Sequence, residues 1–458
     1  MSLPPWRNCP GGICAARGFL AAAERAGLKK AGLDLTIIVS DRPASAAACF
    51  TRNRCAAAPV TVSREHLKKN KGRARAILAN SGCANAATGE RGLQDTRSTV
   101  DALARSLDLP PSSILVCSTG VIGLPLQADR IIAKLPVCVS RLSRKQARRA
   151  AQAIATTDSV LKIESIAFQA ASGAVRVGGI AKGAGMIHPD MATMLAFITT
   201  DAAISPAMLQ RCLTWCVERS FNCITVDGDT STNDTVILLA NGASGVEVME
   251  EPASGRIDSR TRRHGDTGAI VASPRPRVPA SRHSLSPRSL IPASKPAVSS
   301  HLQDQVCEDD FRAALLEVCQ RLARKIAWDG EGATHQLEIR VTGARSFEQA
   351  RNVGRSIGRS NLVKTAIYGH DPNWGRVLSA AGASGERIDS SRVQLAIDGQ
   401  VVAEGGVLKY LPDSVFTSVW KKKKIEIAID LGLRDANATC WSCDLSHQYV
   451  DINASYRT

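Results

Sequence analysis

The chain has 458 residues, 44% hydrophobic and only 4% aromatic, enough for two or three ordinary domains whose cores are filled by aliphatic and alanine side chains. A net charge of +16 and a pI near 9.4 raise nucleic acid as a partner, yet residues 253–300 alone carry nine Arg or Lys against Asp258 and Asp266. No apolar run reaches the ~18 residues of a membrane span, and MSLPPWRNCPGG lacks the basic and long apolar regions of a signal peptide, so a cytoplasmic protein without membrane contact is expected.

In chain order, DLTIIVS and RAILANSG read as strands that end in turn residues. LQDTRSTVDALARSLDLPP predicts a helix with Leu93, Val100, Leu103 and Leu107 on one face, stopped by Pro110. SILVCSTGVIG predicts a strand that breaks at Thr119-Gly120. SPAMLQRCLTWCVERS predicts a helix capped by Ser205, with Pro206 in its first turn and Leu209, Cys212, Leu213, Cys216 and Val217 as its apolar stripe. Residues 253–304 are rich in Pro, Ser and Arg and have no apolar period, so they are expected to be a disordered basic insertion. Beyond it, DFRAALLEVCQRLARKIA predicts a helix and HQLEIRVTG a strand. SFEQARNVGRSIG predicts a helix with capping-box spacing from Ser346 to Gln349. RVQLAIDGQVV and KKIEIAIDLG each predict a strand, the second preceded by the solvated run Lys421–Lys424. The chain mixes α and β without a regular βαβ beat.

Several motifs fail on inspection. The fourteen cysteines are scattered, which in a cytosolic chain means buried thiols. The one CxxC, Cys440 and Cys443, has no second ligand pair, so no metal is expected. VGGIAKGAGM is not a phosphate loop, because Lys182 precedes Gly183. DGDTSTND, from Asp227 to Asp234, is not a calcium loop, because Thr232 holds the glycine position and Leu238 the final glutamate position.

KGAGMIHPDMATMLAF places Thr193 between a glycine loop and an apolar run. A threonine hydroxyl needs a base and a site for the developing oxyanion before it can act as a nucleophile. No Ser-His-Asp or Cys-His partner stands beside it, and His188 reads as a loop histidine. Cleavage of the Ala192–Thr193 bond would supply the base on the same residue: a free α-amine with a pKa of roughly 7.7–8, paired with the hydroxyl as in other N-terminal nucleophiles. The small Ala192 and nearby glycines would let the backbone bend for that attack. Spacing alone leaves two readings, a strand threonine and a self-released nucleophile.

A set of motifs extends this picture: NSGCANAATG from Asn80, STGVIG from Ser118, TTD from Thr156, GGIAKGAGMIHPDMATMLAFITTDA from Gly178, SFNCITVDGDTSTNDT from Ser220, DGEGAT from Asp329, DPNWGRVLSAAG from Asp371 and INASYRT from Ile452. In this order they resemble the glutamate N-acetyltransferase family of arginine biosynthesis, also called ornithine acetyltransferases, across nearly all of the chain outside about 250–305. The resemblance implies a mixed α/β fold, an α-β-β-α sandwich with a smaller C-terminal α/β region at about 305–458. It implies self-cleavage before Thr193 into an α chain (1–192) and a β chain (193–458), associated as a heterotetramer of two of each. It implies ping-pong transfer of acetyl from N2-acetylornithine to glutamate through acetyl-Thr193, with no cofactor; some members also accept acetyl-CoA.

Residue by residue, the resemblance gives Thr119 and Gly120 the oxyanion role, which suits a strand-end turn aiming a hydroxyl and an N–H at one point. It makes Lys182, Glu331, Asn453, Thr458 and one of Thr156 and Thr157 substrate contacts. The chain departs from the family at His188 and Asp190 inside the nucleophile motif, at His335 after DGEGAT, at Ser442, and in the basic insertion. Two rivals are an N-terminal-threonine amidase or aminopeptidase on a related scaffold, and an RNA-binding protein acting through the Arg-rich segment. Lys182, Glu331 and the INASYRT tail suit an amino-acid substrate with two charged ends and so argue against the first; deleting 253–300 discriminates the second, since acyl transfer should survive while RNA affinity should collapse.

Overall fold

The computed structural model describes residues 6–170, 173–188, 194–249 and 306–455. Asp190, Ala192, Thr193, Thr458 and the predicted insertion 253–304 lie outside the described residues.

Nine strands form one sheet: β1 (Arg7–Asn8), β2 (Phe19–Glu24), β3 (Leu35–Phe50), β4 (Arg73–Asn80), β5 (Ile114–Ser118), β6 (Lys162–Ala170), β7 (Gly173–Lys182), β8 (Leu195–Thr200) and β9 (Thr235–Ala240). Their order is β1-β6-β7-β8-β9-β3-β4-β5, with β2 also on β3. The pivot is β3. Its first half pairs with β2 and β4, and its second half, from Ser45 to Phe50, pairs with β9. Between them Asp41, Arg42 and Pro43 are exposed and the β4 register shifts. The sequence reading ended this strand at its turn residues; the chain instead bends there and continues. Pro43 sits where the ladder is interrupted, so its missing N–H leaves no gap in the pairing.

The bend folds the sheet into two layers. Their facing sides share one core: Phe19, Ile38, Ile77 and Leu115 from one layer, Ile180, Phe197, Ile237 and Leu239 from the other. Strand alternation sends the intervening residues outward. Leu35, Ile37, Leu78 and Val116 meet helices α1 (Ala58–Lys69), α2 (Gly89–Leu107) and α3 (Ala128–Ser140). Helix α4 (Ala147–Ile154) adds Ala150, Ala151 and Ile154 to the inter-sheet core. Val177, Ile198 and Leu238 meet α5 (Pro206–Glu218) and α6 (Glu308–Trp328). The result is the α-β-β-α sandwich expected. Ser205 caps α5 by accepting the Met208 N–H at 3.3 Å, and α2 ends at Leu107 with Asp108 in a left-handed conformation, two residues before Pro110.

Strands β10 (Val248–Met249) and β11 (Val306–Cys307) pair in parallel, which brings together the chain on either side of the 253–304 segment. A second sheet follows, built from β12 (Gln336–Ala344), β13 (Gln394–Ile397), β14 (Gln400–Glu404), β15 (Val407–Leu408), β16 (Lys424–Asp430) and β17 (Ala436–Cys443) in the order β15-β14-β13-β16-β12-β17. Helices α7 (Phe347–Arg359), α8 (Asn361–Tyr368), α9 (Gly375–Gly382), α10 (Thr417–Trp420) and α11 (His447–Ala454) accompany it. Its buried residues Leu337, Ile339, Ile425 and Ile427 belong to the same cluster as α6, so one core runs through both sheets.

Two local expectations change. RVQLAIDGQVV is a hairpin, β13 and β14, because Asp398 and Gly399 both take positive φ (48° and 84°), the demand of a tight Asp-Gly turn. At α7, Ser346 Oγ accepts the Gln349 N–H at 3.2 Å, but Gln349 Oε1 accepts the Arg345 N–H at 2.8 Å instead of closing the box on Ser346. Among the described residues, no helix is long and apolar enough to cross a membrane.

Candidate active site

Five segments distant in sequence end around one cavity of about 290 Å³. Thr119 and Gly120 follow β5, Thr156 and Thr157 follow α4, Lys182 ends β7, Glu331 follows α6 and Asn453 lies on α11; all seven line it. Val121, Ile122 and Met186 add an apolar wall, and Ser231 and Asn233 a polar one. Of the sequence-predicted site residues, only Thr193 with its neighbour Ala192, and Thr458, lie outside the described residues.

The Thr119-Gly120 turn is held tightly. Thr119 N–H donates to Asn80 O at 3.0 Å and Val121 N–H to Gly82 O at 3.3 Å. Gly120 has φ 130°, and a Cβ there would fall 2.4 Å from Gly82 C and 2.7 Å from Cys83 N. Only glycine fits so close to that backbone. From the other side, Asn233 Nδ2 donates to Ala84 O at 2.6 Å and to Ser118 O at 2.9 Å, which links β9 to the turn.

Lys182 is almost fully buried, and its Nζ donates to Thr119 Oγ1 at 3.3 Å. An ammonium group only donates, so this bond occupies a lone pair of the hydroxyl and leaves the Thr119 O–H to point elsewhere. Burial lowers the Lys182 pKa, opposed by the Asp158 charge, assisted by Lys162 and further opposed by Glu331 and Asp234.

The loop carrying Thr156 and Thr157 is anchored by a buried ion cluster. Lys162 Nζ meets Asp158 Oδ1 at 2.5 Å and also Asp329 Oδ2. Asp158 accepts the Gly183 N–H at 2.8 Å and the Thr156 N–H at 2.9 Å, while Asp329 accepts the Ser159 N–H at 3.0 Å. One lysine thus ties the Thr156–Ser159 turn to the segment leading to Glu331. Burial pushes the Asp158 carboxyl up, but Lys162, Lys182 and its hydrogen bonds outweigh that and hold it below the ordinary value. Stability from such a depressed carboxyl is present above its unfolded pKa of about 3.9 and is lost as pH falls through the lower folded value. The melting temperature of Asp158→Asn is therefore expected to fall less than that of the wild type between about pH 4 and pH 2, read by thermal melts across that range.

Glu331 is buried beneath the glycine loop. Its N–H donates to Ala184 O at 2.9 Å, and its Oε2 accepts Asn453 Nδ2 at 2.8 Å. A Cβ on Gly185 would fall 2.3 Å from that same oxygen, so the glycine lets the loop lie on the carboxylate. Asp227 fixes the next residues: it accepts the Met186 N–H, the Ile187 N–H at 2.8 Å and the Tyr449 hydroxyl at 3.3 Å, joining the loop to α11.

Of the atypical residues, His188, His335 and Ser442 stand apart from the cavity lining. His188 Nε2 lies 2.9 Å from Arg355 Nη2 and its Nδ1 3.0 Å from Thr225 Oγ1. Arginine cannot accept, so Nε2 uses its lone pair on Arg355 and is not a free base. His335 packs 3.2 Å from Asp444 Oδ2 and 3.3 Å from Trp420 O. Ser442 Oγ donates to Gly358 O at 2.7 Å. Cys440 and Cys443 are buried, unpaired thiols, and burial raises the Cys443 pKa to about 11. No group of three or more His, Cys, Asp or Glu suited to a metal occurs among the described residues.

Sequence reasoning missed Asp158, Lys162, Asp227, Asp234 and Asp329 as site-building residues. Asp158 sits in TTD, Asp227 and Asp234 in DGDTSTND and Asp329 in DGEGAT. Nothing in their spacing says that acids so far apart brace the segments of one site. Chemically, the cavity offers a hydroxyl and N–H turn, a buried cation and a buried carboxylate, which suits a small molecule carrying both charges.

The ArgJ family model matches residues 20–458. The chain is 41% identical over 469 aligned residues to the arginine biosynthesis bifunctional protein ArgJ of Thermosynechococcus vestitus, covering 99% of each chain. Solved structures similar to it include the arginine biosynthesis bifunctional protein ArgJ of Bacillus halodurans, at 33% identity and a TM-score of 0.43 over 58% of this chain and 100% of that one. The ornithine acetyltransferase of Mycobacterium tuberculosis, complexed with ornithine, is 36% identical with a TM-score of 0.37 over 41% of this chain and 99% of that one.

Proposed function

The chain belongs to the ArgJ family, and on that premise we propose that it is a self-cleaving acetyltransferase of arginine biosynthesis, moving acetyl from N2-acetylornithine to glutamate. The observation that carries this reading is the meeting of Thr119, Gly120, Thr156, Thr157, Lys182, Glu331 and Asn453 on one cavity. Thr193 attacks the carbonyl of Ala192, the resulting ester is hydrolysed, and residue 193 gains a free α-amine. That amine takes the Thr193 hydroxyl proton as the oxygen bonds to the acetyl carbon of N2-acetylornithine. The Thr119 O–H and Gly120 N–H stabilise the oxyanion. The amine returns the proton to the departing nitrogen of ornithine, and an acetyl ester remains on Thr193. The amine of glutamate then attacks this ester by the reverse path, giving N-acetylglutamate. Lys182 holds the substrate α-carboxylate and Glu331 the cationic side-chain end of ornithine, with Thr156 or Thr157, Asn453 and Thr458 completing the contacts. No cofactor enters these steps. The products 1–192 and 193–458 remain together as a heterotetramer of two of each, in the cytoplasm.

The test is intact mass under denaturing conditions after mixing with N2-acetylornithine alone. Two fragments, the 193–458 piece heavier by one acetyl group, support the reading; an intact chain that carries no acetyl overturns it. Adding glutamate separates the amidase alternative, which releases acetate without forming N-acetylglutamate. Acetyl-CoA in place of acetylornithine reads, by the same adduct, whether a second donor loads Thr193.

Glu331→Gln keeps the shape and an acceptor for Asn453 but removes the charge. A charge-assisted contact contributes about 1.5–3 kcal/mol, so KM for N2-acetylornithine is expected to rise roughly tenfold to hundredfold. The effect on the glutamate half-reaction is expected to be smaller, as steady-state kinetics with each substrate varied will show.

A further inference from the structure

Asp234 is buried at the start of β9, with 2% of its surface exposed. Neither carboxyl oxygen has a hydrogen-bond partner among the described residues. Burial raises its pKa well above the carboxylate range, opposed by the N–H of Met194, the charge of Lys182 and the N–H of Ser231. Those two N–H groups lie close to it, but neither closes a hydrogen bond of good geometry. A buried acid without a partner is costly and calls for an explanation.

The ladder supplies one. Strands β8 and β9 run parallel with Leu195 beside Thr235, and Thr235 N–H donates to Met194 O at 3.0 Å. Asp234 and Met194 are therefore neighbours at the strand mouths and share one small packing gap with Val217, Phe221 and Asn222. Lys182 on β7, which lines the active-site cavity, is the charge that acts on the carboxyl; the residues around Asp234 in that gap carry none. Met194 is bonded directly to residue 193, whose α-amine the proposed cleavage would free.

We propose that Asp234 is the positioning residue for the α-amine of Thr193, a buried carboxyl left without a partner in the precursor and paired when the amine freed by cleavage gains a proton. This rests on the proposed cleavage before Thr193. In the transfer step the amine takes the hydroxyl proton and becomes ammonium as the Oγ–carbon bond forms. Asp234 accepts a hydrogen bond from that ammonium and stabilises its charge without taking the proton. The amine then gives the proton to the leaving nitrogen. Asp234 thereby serves as the third group that orients the base of a nucleophile pair.

The test is Asp234→Asn in the full chain, compared with the wild type by intact mass, kcat, KM and the pH profile. Cleavage precedes the amine, so the variant is expected to mature. Its kcat is expected to fall by roughly tenfold to hundredfold with KM for N2-acetylornithine little changed. A carboxylate raises the pKa of a neighbouring amine, so the acid limb of the variant's kcat profile is expected about one pH unit or more below that of the wild type. A merely structural carboxyl would lower the melting temperature without moving that limb. A matured variant with wild-type kcat and an unmoved limb overturns the assignment, as does a folded variant that stays uncut. If the variant does not fold, carbamylation of the mature wild type by cyanate decides. A Thr193 amine titrating above the ordinary range of about 7.7–8 supports the pair, and one at or below it overturns it. A wild type that is never cut sinks the proposed function itself, which separates that failure from failure of Asp234 alone.

Discussion

Replacing Thr193 with alanine is expected to leave the chain whole at 48.6 kDa and to remove acetyl transfer. The same hydroxyl carries two reactions under the proposed function. It attacks the Ala192 carbonyl to release the amine, and later it attacks the acetyl donor. Alanine removes the nucleophile and, because no cut occurs, also withholds the base. Deleting a nucleophile that acts as a unit with its base costs up to about 10⁶-fold in kcat, so turnover is expected at background. Thr193→Ser restores a hydroxyl at the same position and is expected to mature and to turn over. Intact mass and an assay for N-acetylglutamate read both steps separately. A Thr193→Ala protein that still cleaves or still transfers acetyl would remove Thr193 from the reaction.

Gly120→Ala is expected to produce the second large effect, by geometry alone. The added methyl would lie 2.4 Å from Gly82 C and 2.7 Å from Cys83 N, both backbone atoms that cannot rotate away. The backbone also stands at φ 130°, a conformation that L side chains rarely adopt. The turn must open, which moves the Gly120 N–H and disturbs the Thr119 hydroxyl beside it. Losing one oxyanion donor costs roughly 10²–10³ in kcat, and the strained turn costs about 1–3 kcal/mol of stability. The useful signature is the split: kcat falls far more than KM rises, since the donors act on charge that exists only in the transition state. Equal kcat with a lowered melting temperature would make this glycine a packing residue and nothing more.

Local order was legible in the sequence because it depends on neighbours a few residues apart. The α5 cap at Ser205 follows from side-chain chemistry within one turn, and the apolar stripe of α6 from a period of 3.6. Thr119-Gly120 at a strand end was visible for the same reason. The single-strand reading of RVQLAIDGQVV missed a signal that was present, since Asp398-Gly399 between apolar runs is a hairpin turn. The bend of β3 was less visible, because alternation persists on both sides of Pro43 while the partner strands change from β2 to β9.

What the sequence determined by itself was the inventory: a mixed α/β chain, a threonine set between a glycine loop and an apolar run, and motifs holding Lys182, Glu331 and Asn453. What only the tertiary structure decided was which of these residues meet and what their surroundings do to them. Asp158, Lys162 and Asp329 form one buried cluster although Asp329 is far along the chain from the other two. Asp234 is an ordinary acid in DGDTSTND until β8 and β9 bury it beside Met194. Spacing along a chain sets periodicity, whereas burial and charge pairing depend on which distant segments share a space, and those are what perturb an ionisable group.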